Sequence, residues 1–136
     1  MQKLTIGQLA KQANVNLETI RYYERRGLIP EPPRSISGYR QYSADDLQRT
    51  RFIKRSQGLG FSLKEIAELL SLRVEPGTTC GEVKERVHAK ITDVEKRISD
   101  LEHIRAALLR LSKSCTGRGP ASKCPILDEL NNRKTS

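Results

Sequence analysis

Apolar side chains follow a helical period almost from the start of this chain. Ile6, Leu9, Ala10 and Ala13 line one face of a first short helix. Asn14-Val15-Asn16 breaks it with a tight polar turn, and Asn16 is placed to cap a second helix, LETIRYYERRGL. Gly27 is placed to end that helix. With Val15 and Ile20 facing inward, two short helices around a tight turn make a helix-turn-helix. The period is then lost. The stretch PEPPRSISGYRQYS holds three prolines, which exclude a helix. Ser37-Gly38 marks a turn, and Gly38 to Tyr42 reads as a short strand-like run, so a small β-ribbon, or wing, is expected here.

Helical grammar returns at Ser43-Ala44-Asp45-Asp46, a start signal with an acid three positions after the cap. That helix is expected to run to Gly58 or Gly60. Ser62 to Glu65 is a capping box opening another helix, with Leu63, Ile66, Ala67, Leu69 and Leu70 on its apolar face. Pro76-Gly77 breaks the pattern, and Thr79 to Glu82 is a further capping box that makes Cys80 the first residue of the next helix. No proline follows until Pro120. Val87, Ile91, Val94, Ile98, Leu101 and Leu108 form a heptad seam, with Arg105 at one intervening seam position and Ile104 and Leu111 beside the stripe. A helix from Cys80 to about Lys113 is predicted, and its seam suits pairing with a second copy better than packing on its own domain. The fold class is mainly α, divided as 1–42, 43–78, 79–114 and 115–136.

Composition narrows the partners. The 136 residues are 36% hydrophobic and 4% aromatic without tryptophan, lean for a free-standing globule, which again favours a homodimer. The formal net charge is +9, spread over both halves: 13 basic against 8 acidic side chains in residues 1–75, and 12 against 8 in 76–136. Such an excess suits a polyanion, most often nucleic acid. Arg21, Arg25 and Arg26, interleaved with Tyr22 and Tyr23, bring phosphate and base donors to the second helix. Arg34 and Arg40 stand on the wing; Arg51, Lys54 and Arg55 are further cationic candidates. No apolar run spans a membrane and the N-terminal stretch lacks a signal-peptide core, so a cytoplasmic protein is expected. No Cys/His/Asp constellation, phosphate loop or cofactor fingerprint points to an enzyme.

Three motifs, TIGQLAKQANVNLETIRYYERRGLIPEP, then GYRQYS, then IKRSQGLGFSLKEIAELL, strongly resemble the MerR family of bacterial transcription regulators, nearly continuously from Leu4 to Leu72. The resemblance implies a winged helix-turn-helix, a two-helix connector and a long antiparallel dimerisation helix. It also implies promoter DNA as partner, with RNA polymerase on the same promoter. By the same analogy Glu18, Thr19, Arg21, Tyr22, Arg40 and Tyr42 are the DNA-contacting positions.

The chain has three cysteines, Cys80, Cys115 and Cys124. An odd number disfavours a secreted disulfide framework. The predicted helix of 34 residues is roughly 50 Å long at ~1.5 Å per residue. Unbroken, it keeps Cys80 away from the other two within one chain, whereas two antiparallel chains bring Cys80 of one to Cys115 and Cys124 of the other, twice per dimer. Cys80 stands at the positive end of the helix dipole, and Arg118 and Lys123 flank the other pair. Three thiolates suit a soft ion, Hg(II), Pb(II), Cd(II) or As(III), better than four-ligand structural zinc; His88 and His103 lie inside the helix, off the seam. The resemblance sharpens this, because thiols so placed, the last followed by Pro125, look like those of the mercury-responsive members. Hg(II) is therefore the expected effector. The readings kept open are a lead- or cadmium-responsive regulator and a thiol redox sensor using Cys115 and Cys124.

Overall fold

A computed structural model describes residues 3–131. Its order is α1 (Ile6–Ala13), α2 (Leu17–Arg25), α3 (Ala44–Gly58), α4 (Leu63–Val74), α5 (Cys80–Lys113), a short 3₁₀ turn (Ala121–Lys123) and α6 (Pro125–Leu130). It is mainly helical, as the periodicity predicts. The segment 115–136 read from the sequence extends past the described residues. The chain divides into two compact units, with the boundary between Val87 and His88.

The helix starts follow from local chemistry. Asn16 Oδ1 accepts from the Thr19 amide at 2.8 Å, so α2 begins where the sequence places it. Capping boxes close at Ser43/Asp46, Ser62/Glu65 and Thr79/Glu82. A fourth, Thr5/Gln8, opens α1. Each satisfies amide groups that the first turn leaves without partners, worth about 1 kcal/mol apiece. The turn between α1 and α2 passes through Asn14 in the left-handed region at φ 57°, a conformation asparagine tolerates.

In the N-terminal unit α1 packs on α2 and α3, and α3 on α4. Two apolar clusters fill it. Leu9, Ala10, Ile20 and Tyr42 are buried together, with Leu4, Ile6, Val15 and Leu47 around them. Tyr23, Leu28, Ile29, Ile53 and Ile66 form the second, with Phe52, Phe61, Leu63 and Leu70 packed against it. The inward Ile20 of the sequence pattern is one of their anchors.

The wing is slighter than a β-ribbon. Among the described residues no strand forms; two isolated antiparallel bridges stand in its place, Leu4 with Tyr42 and Arg34 with Arg40. Paired backbone bonds of 2.8 Å tie Tyr42 to Leu4, so the end of the wing is fastened to the segment before α1. Pro33, with no N–H to give, accepts from the Gln41 amide at 2.9 Å, and Gly38 turns the tip at φ 89°. Prolines on one side and a glycine turn leave too few amides for a continuous ladder.

Among the described residues of the C-terminal unit no apolar side chain is buried. The heptad seam of α5 is open along its length, from 38% exposed at Val94 to 63% at Leu101. The 3₁₀ turn and α6 pack on each other, and α6 starts with Pro125 in its first turn, where a missing amide costs nothing. No helix among the described residues is long and apolar enough to cross a membrane.

Candidate nucleic-acid interface and thiol site

The second helix of the helix-turn-helix presents its cationic face outward. Arg21 pairs with Glu18 at 2.9 Å on the exposed side, one turn apart. Arg25 and Arg26 both lie over the Tyr22 ring, their guanidinium carbons 5.8 and 5.7 Å from its centroid, and Arg26 also donates to the Tyr22 hydroxyl at 2.8 Å. The ring thus gathers two positive charges into one exposed patch. Thr19 donates its hydroxyl to Asn16 and is part of the cap of α2. Tyr23 belongs to the interior: its hydroxyl donates to Gln57 Oε1 at 2.6 Å, and burial pushes its pKa up.

The wing closes a second basic surface. Arg21, Arg34 and Arg40 line a groove of about 480 Å³ together with Thr5 and Tyr39. Three arginines lining one open groove bring together guanidinium donors that can hold an anion such as a backbone phosphate. Arg34 donates to the Gly38 carbonyl at 3.1 Å, which ties it across the tip. Arg40 Nη1 meets Glu24 Oε1 at 2.5 Å, and Tyr42 donates its hydroxyl to Glu24 Oε2 at 2.7 Å.

Tyr42, one of the DNA-contacting positions that the resemblance implies, is 0% exposed, with its hydroxyl turned to Glu24 behind Arg40. Burial, then the bond to Glu24, pushes its pKa up to about 12. Two basic side chains of α3 also have other work. Arg51 donates to the Gln12 carbonyl at 3.2 Å and Lys54 to that of Asn14, so both cover the carbonyl end of α1.

The thiols fall into a single residue and a pair. Cys80 is the first residue of α5 and is exposed. Cys115 lies two residues beyond the end of α5, half-buried, and its sulfur accepts the Gly117 amide at 3.3 Å. Cys124, half-buried, precedes α6. The amides of Leu127 and Ile126 hold the Cys124 thiol below the usual range; burial opposes them, Cys115 adds a hydrogen bond in the same direction, and Asp128 opposes it. Cys115 and Cys124 are thus both free thiols, near enough for Cys115 to help lower the Cys124 pKa, among N–H donors that favour sulfur anions. That is a fit for two arms of a soft-metal site. Among the described residues of one chain no group of three or more Cys, His, Asp or Glu side chains is arranged to hold a metal.

Two family descriptions match this chain. Residues 4–72 match the MerR HTH family regulatory protein, and residues 47–111 match the MerR DNA-binding region. The chain belongs to the MerR family. A mercuric resistance operon regulatory protein of Serratia marcescens is 42% identical over 98% of this chain and 92% of its own. Among solved structures, a lead(II) complex of a transcription regulator from Ralstonia metallidurans has a TM-score of 0.81 and 39% identity, covering 93% of this chain and 98% of that one. A mercury(II) complex of a dual-function regulator from Bacillus megaterium has a TM-score of 0.72 and 37% identity, covering 95% of this chain and all of that one, 100%.

Membership makes this chain a DNA-binding transcription regulator rather than an enzyme. Within that MerR frame, the sequence reading missed Glu24. Its signal was present but weak: a glutamate amid arginines on an exposed helix reads as a solvated ion pair, while its partners Arg40 and Tyr42 lie 16 and 18 positions away.

Proposed function

We propose that this chain is a mercury(II)-responsive transcription regulator that binds promoter DNA as a homodimer, represses without the ion and activates by DNA distortion when the ion is held by Cys80, Cys115 and Cys124. One observation carries this reading. The three thiols flank the two ends of a single 34-residue helix whose apolar seam is uncovered. Antiparallel pairing of two such helices covers the seam and delivers Cys80 of one protomer to Cys115 and Cys124 of the partner subunit. Likeness to the mercuric resistance regulator and to the mercury(II) complex supports the choice of ion.

Bound Hg(II) supplies a soft Lewis-acid centre that joins thiolates. The chain's own residues do the rest. Sulfur atoms held together across the dimer fix one arrangement of paired α5 helices, and with it the spacing of the two helix-turn-helix units. Arg21, Arg34 and Arg40 with Glu18, Thr19 and Tyr22 grip the promoter, so a change of spacing is transmitted as bend and twist in the DNA. RNA polymerase on the same promoter reads that change. The protein is expected to act in the cytoplasm, where thiols stay reduced.

A second reading, a lead-responsive regulator of the same design, is favoured by the lead(II)-bound structural neighbour. In vitro transcription from the native promoter with Hg(II), Pb(II), Cd(II) and Zn(II) separates the two. The proposal expects activation at the lowest concentration by Hg(II), abolished in Cys80→Ala, Cys115→Ala and Cys124→Ala. Activation by oxidant without metal would replace it with a redox switch at Cys115 and Cys124.

A further inference from the structure

Glu24 is a puzzle on a DNA-binding face. A carboxyl group on the recognition helix repels phosphate, yet its side chain is only 9% exposed and makes two short bonds. It faces the wing, with one oxygen on Arg40 Nη1 at 2.5 Å and the other on the Tyr42 hydroxyl at 2.7 Å. Tyr42 is itself fastened on two sides: its ring sits in the core cluster with Leu9 and Ile20, and its backbone is bonded both ways to Leu4. The chain of support thus runs from the core through Tyr42 and Glu24 to Arg40. Glu31 stands 4.0 Å from the other terminal nitrogen of Arg40.

We propose that Glu24 is a positioning residue for DNA binding: anchored by Tyr42, it fixes the Arg40 guanidinium at the wall of the groove shared with Arg21 and Arg34, so that Arg40 meets a backbone phosphate without a search. An arginine has five N–H donors in a rigid fork, so one edge can rest on Glu24 while another remains for an anion. Holding the fork in place removes most of the rotamer freedom that a wing arginine otherwise loses on binding. Among the described residues the wing forms two isolated bridges and no continuous ladder, so backbone pairing alone does little to aim its side chains. This inference rests on the groove being a DNA contact, and the experiment is built to separate the two.

The simple electrostatic alternative predicts the opposite sign. If Glu24 only neutralises Arg40, Glu24→Gln adds net positive charge and tightens DNA binding. If Glu24 positions Arg40, Glu24→Gln weakens it. The test uses the full-length chain and a duplex that the wild-type chain selects from a random-sequence library, with affinity measured across a salt series. Arg40→Ala is expected to lose about tenfold in affinity and to lower the salt slope by about one, as for a lost phosphate contact. Glu24→Gln is expected to lose most of the same affinity and slope, and to add little to Arg40→Ala in the double variant. Tyr42→Phe, which keeps the ring and the carboxyl group, is expected to fall between. A purely structural role would lower melting temperature without touching the slope, and its effect would add to that of Arg40→Ala. If Glu24→Gln does not fold, the Tyr42→Phe and Arg40→Ala cycle decides alone. Unchanged or tighter binding by either variant, or additive losses, overturns the positioning role. An unchanged slope in Arg40→Ala overturns the phosphate contact as well.

Discussion

Tyr42 places a hydroxyl inside an apolar cluster and gives it one acceptor, Glu24. Its pKa of about 12, against an ordinary value of 10.0, makes that arrangement testable without DNA. The folded state keeps the phenol protonated over a range where the unfolded chain has lost the proton. The corresponding stability is therefore complete below pH 10 and is lost as pH rises through 12, by about 2–3 kcal/mol. Denaturant unfolding at a series of alkaline pH values is expected to show a steeper decline for the wild type than for Tyr42→Phe. Equal slopes would mean that the hydroxyl ionises alike in both states. None of this is visible along the chain, because a tyrosine suits a wet DNA face and a dry core equally well. Its partners Leu4, Leu9, Ile20 and Glu24, remote in sequence, decide which face it takes. Arg51 and Lys54 were illegible for the same reason, since the carbonyls they cover lie 39 and 40 residues away.

The helices were legible because their starts are written in four consecutive residues. Ser43, Ser62 and Thr79 each bond the amide three positions on, and each receives the return bond. Ser43→Ala is expected to cost about 1 kcal/mol and lower the melting temperature by several degrees, with helix content retained. Thr5 and Gln8 follow the same rule and were open to the same reading. The wing was less legible, because strand patterning names a direction and not the number of ladder bonds that form. For α5 the heptad spacing predicts a seam, and the structure leaves that seam exposed on a unit with no buried apolar side chain among its described residues. A helix of that kind is poorly stable alone, since packing rather than propensity holds long helices. Ile98→Glu places a charge at the seam, twice in a two-fold pair. Sedimentation equilibrium is expected to show the dimer dissociation constant raised about 100-fold or more, while Lys96→Glu, off the seam, leaves it nearly unchanged. Equal effects of the two would mean that the seam is not the interface.

For the whole molecule, the thiols divide between the two ends of one helix, so the proposed three-sulfur site draws on two chains wherever that helix is unbroken. Cys80→Ala homodimers keep two thiol pairs without a third sulfur. Cys115→Ala/Cys124→Ala homodimers keep two single sulfurs. If each site draws on both protomers, neither binds Hg(II) as three-coordinate sulfur. A heterodimer of the two variants regains one complete site, because Cys80 of the double variant meets Cys115 and Cys124 of its partner. Co-expression with two different affinity tags isolates that heterodimer. Absorption in the mercury–thiolate charge-transfer region, titrated against a competing small thiol, counts the sites. The expected result is two tight sites in the wild-type dimer, one in the heterodimer and none in either homodimer. A heterodimer as empty as its parents would place all three sulfurs of a site within one chain. That outcome requires α5 to break, because an unbroken helix of 34 residues holds its ends roughly 50 Å apart. Helix content measured on the same samples therefore tells which premise failed, the antiparallel pairing or the continuity of the helix.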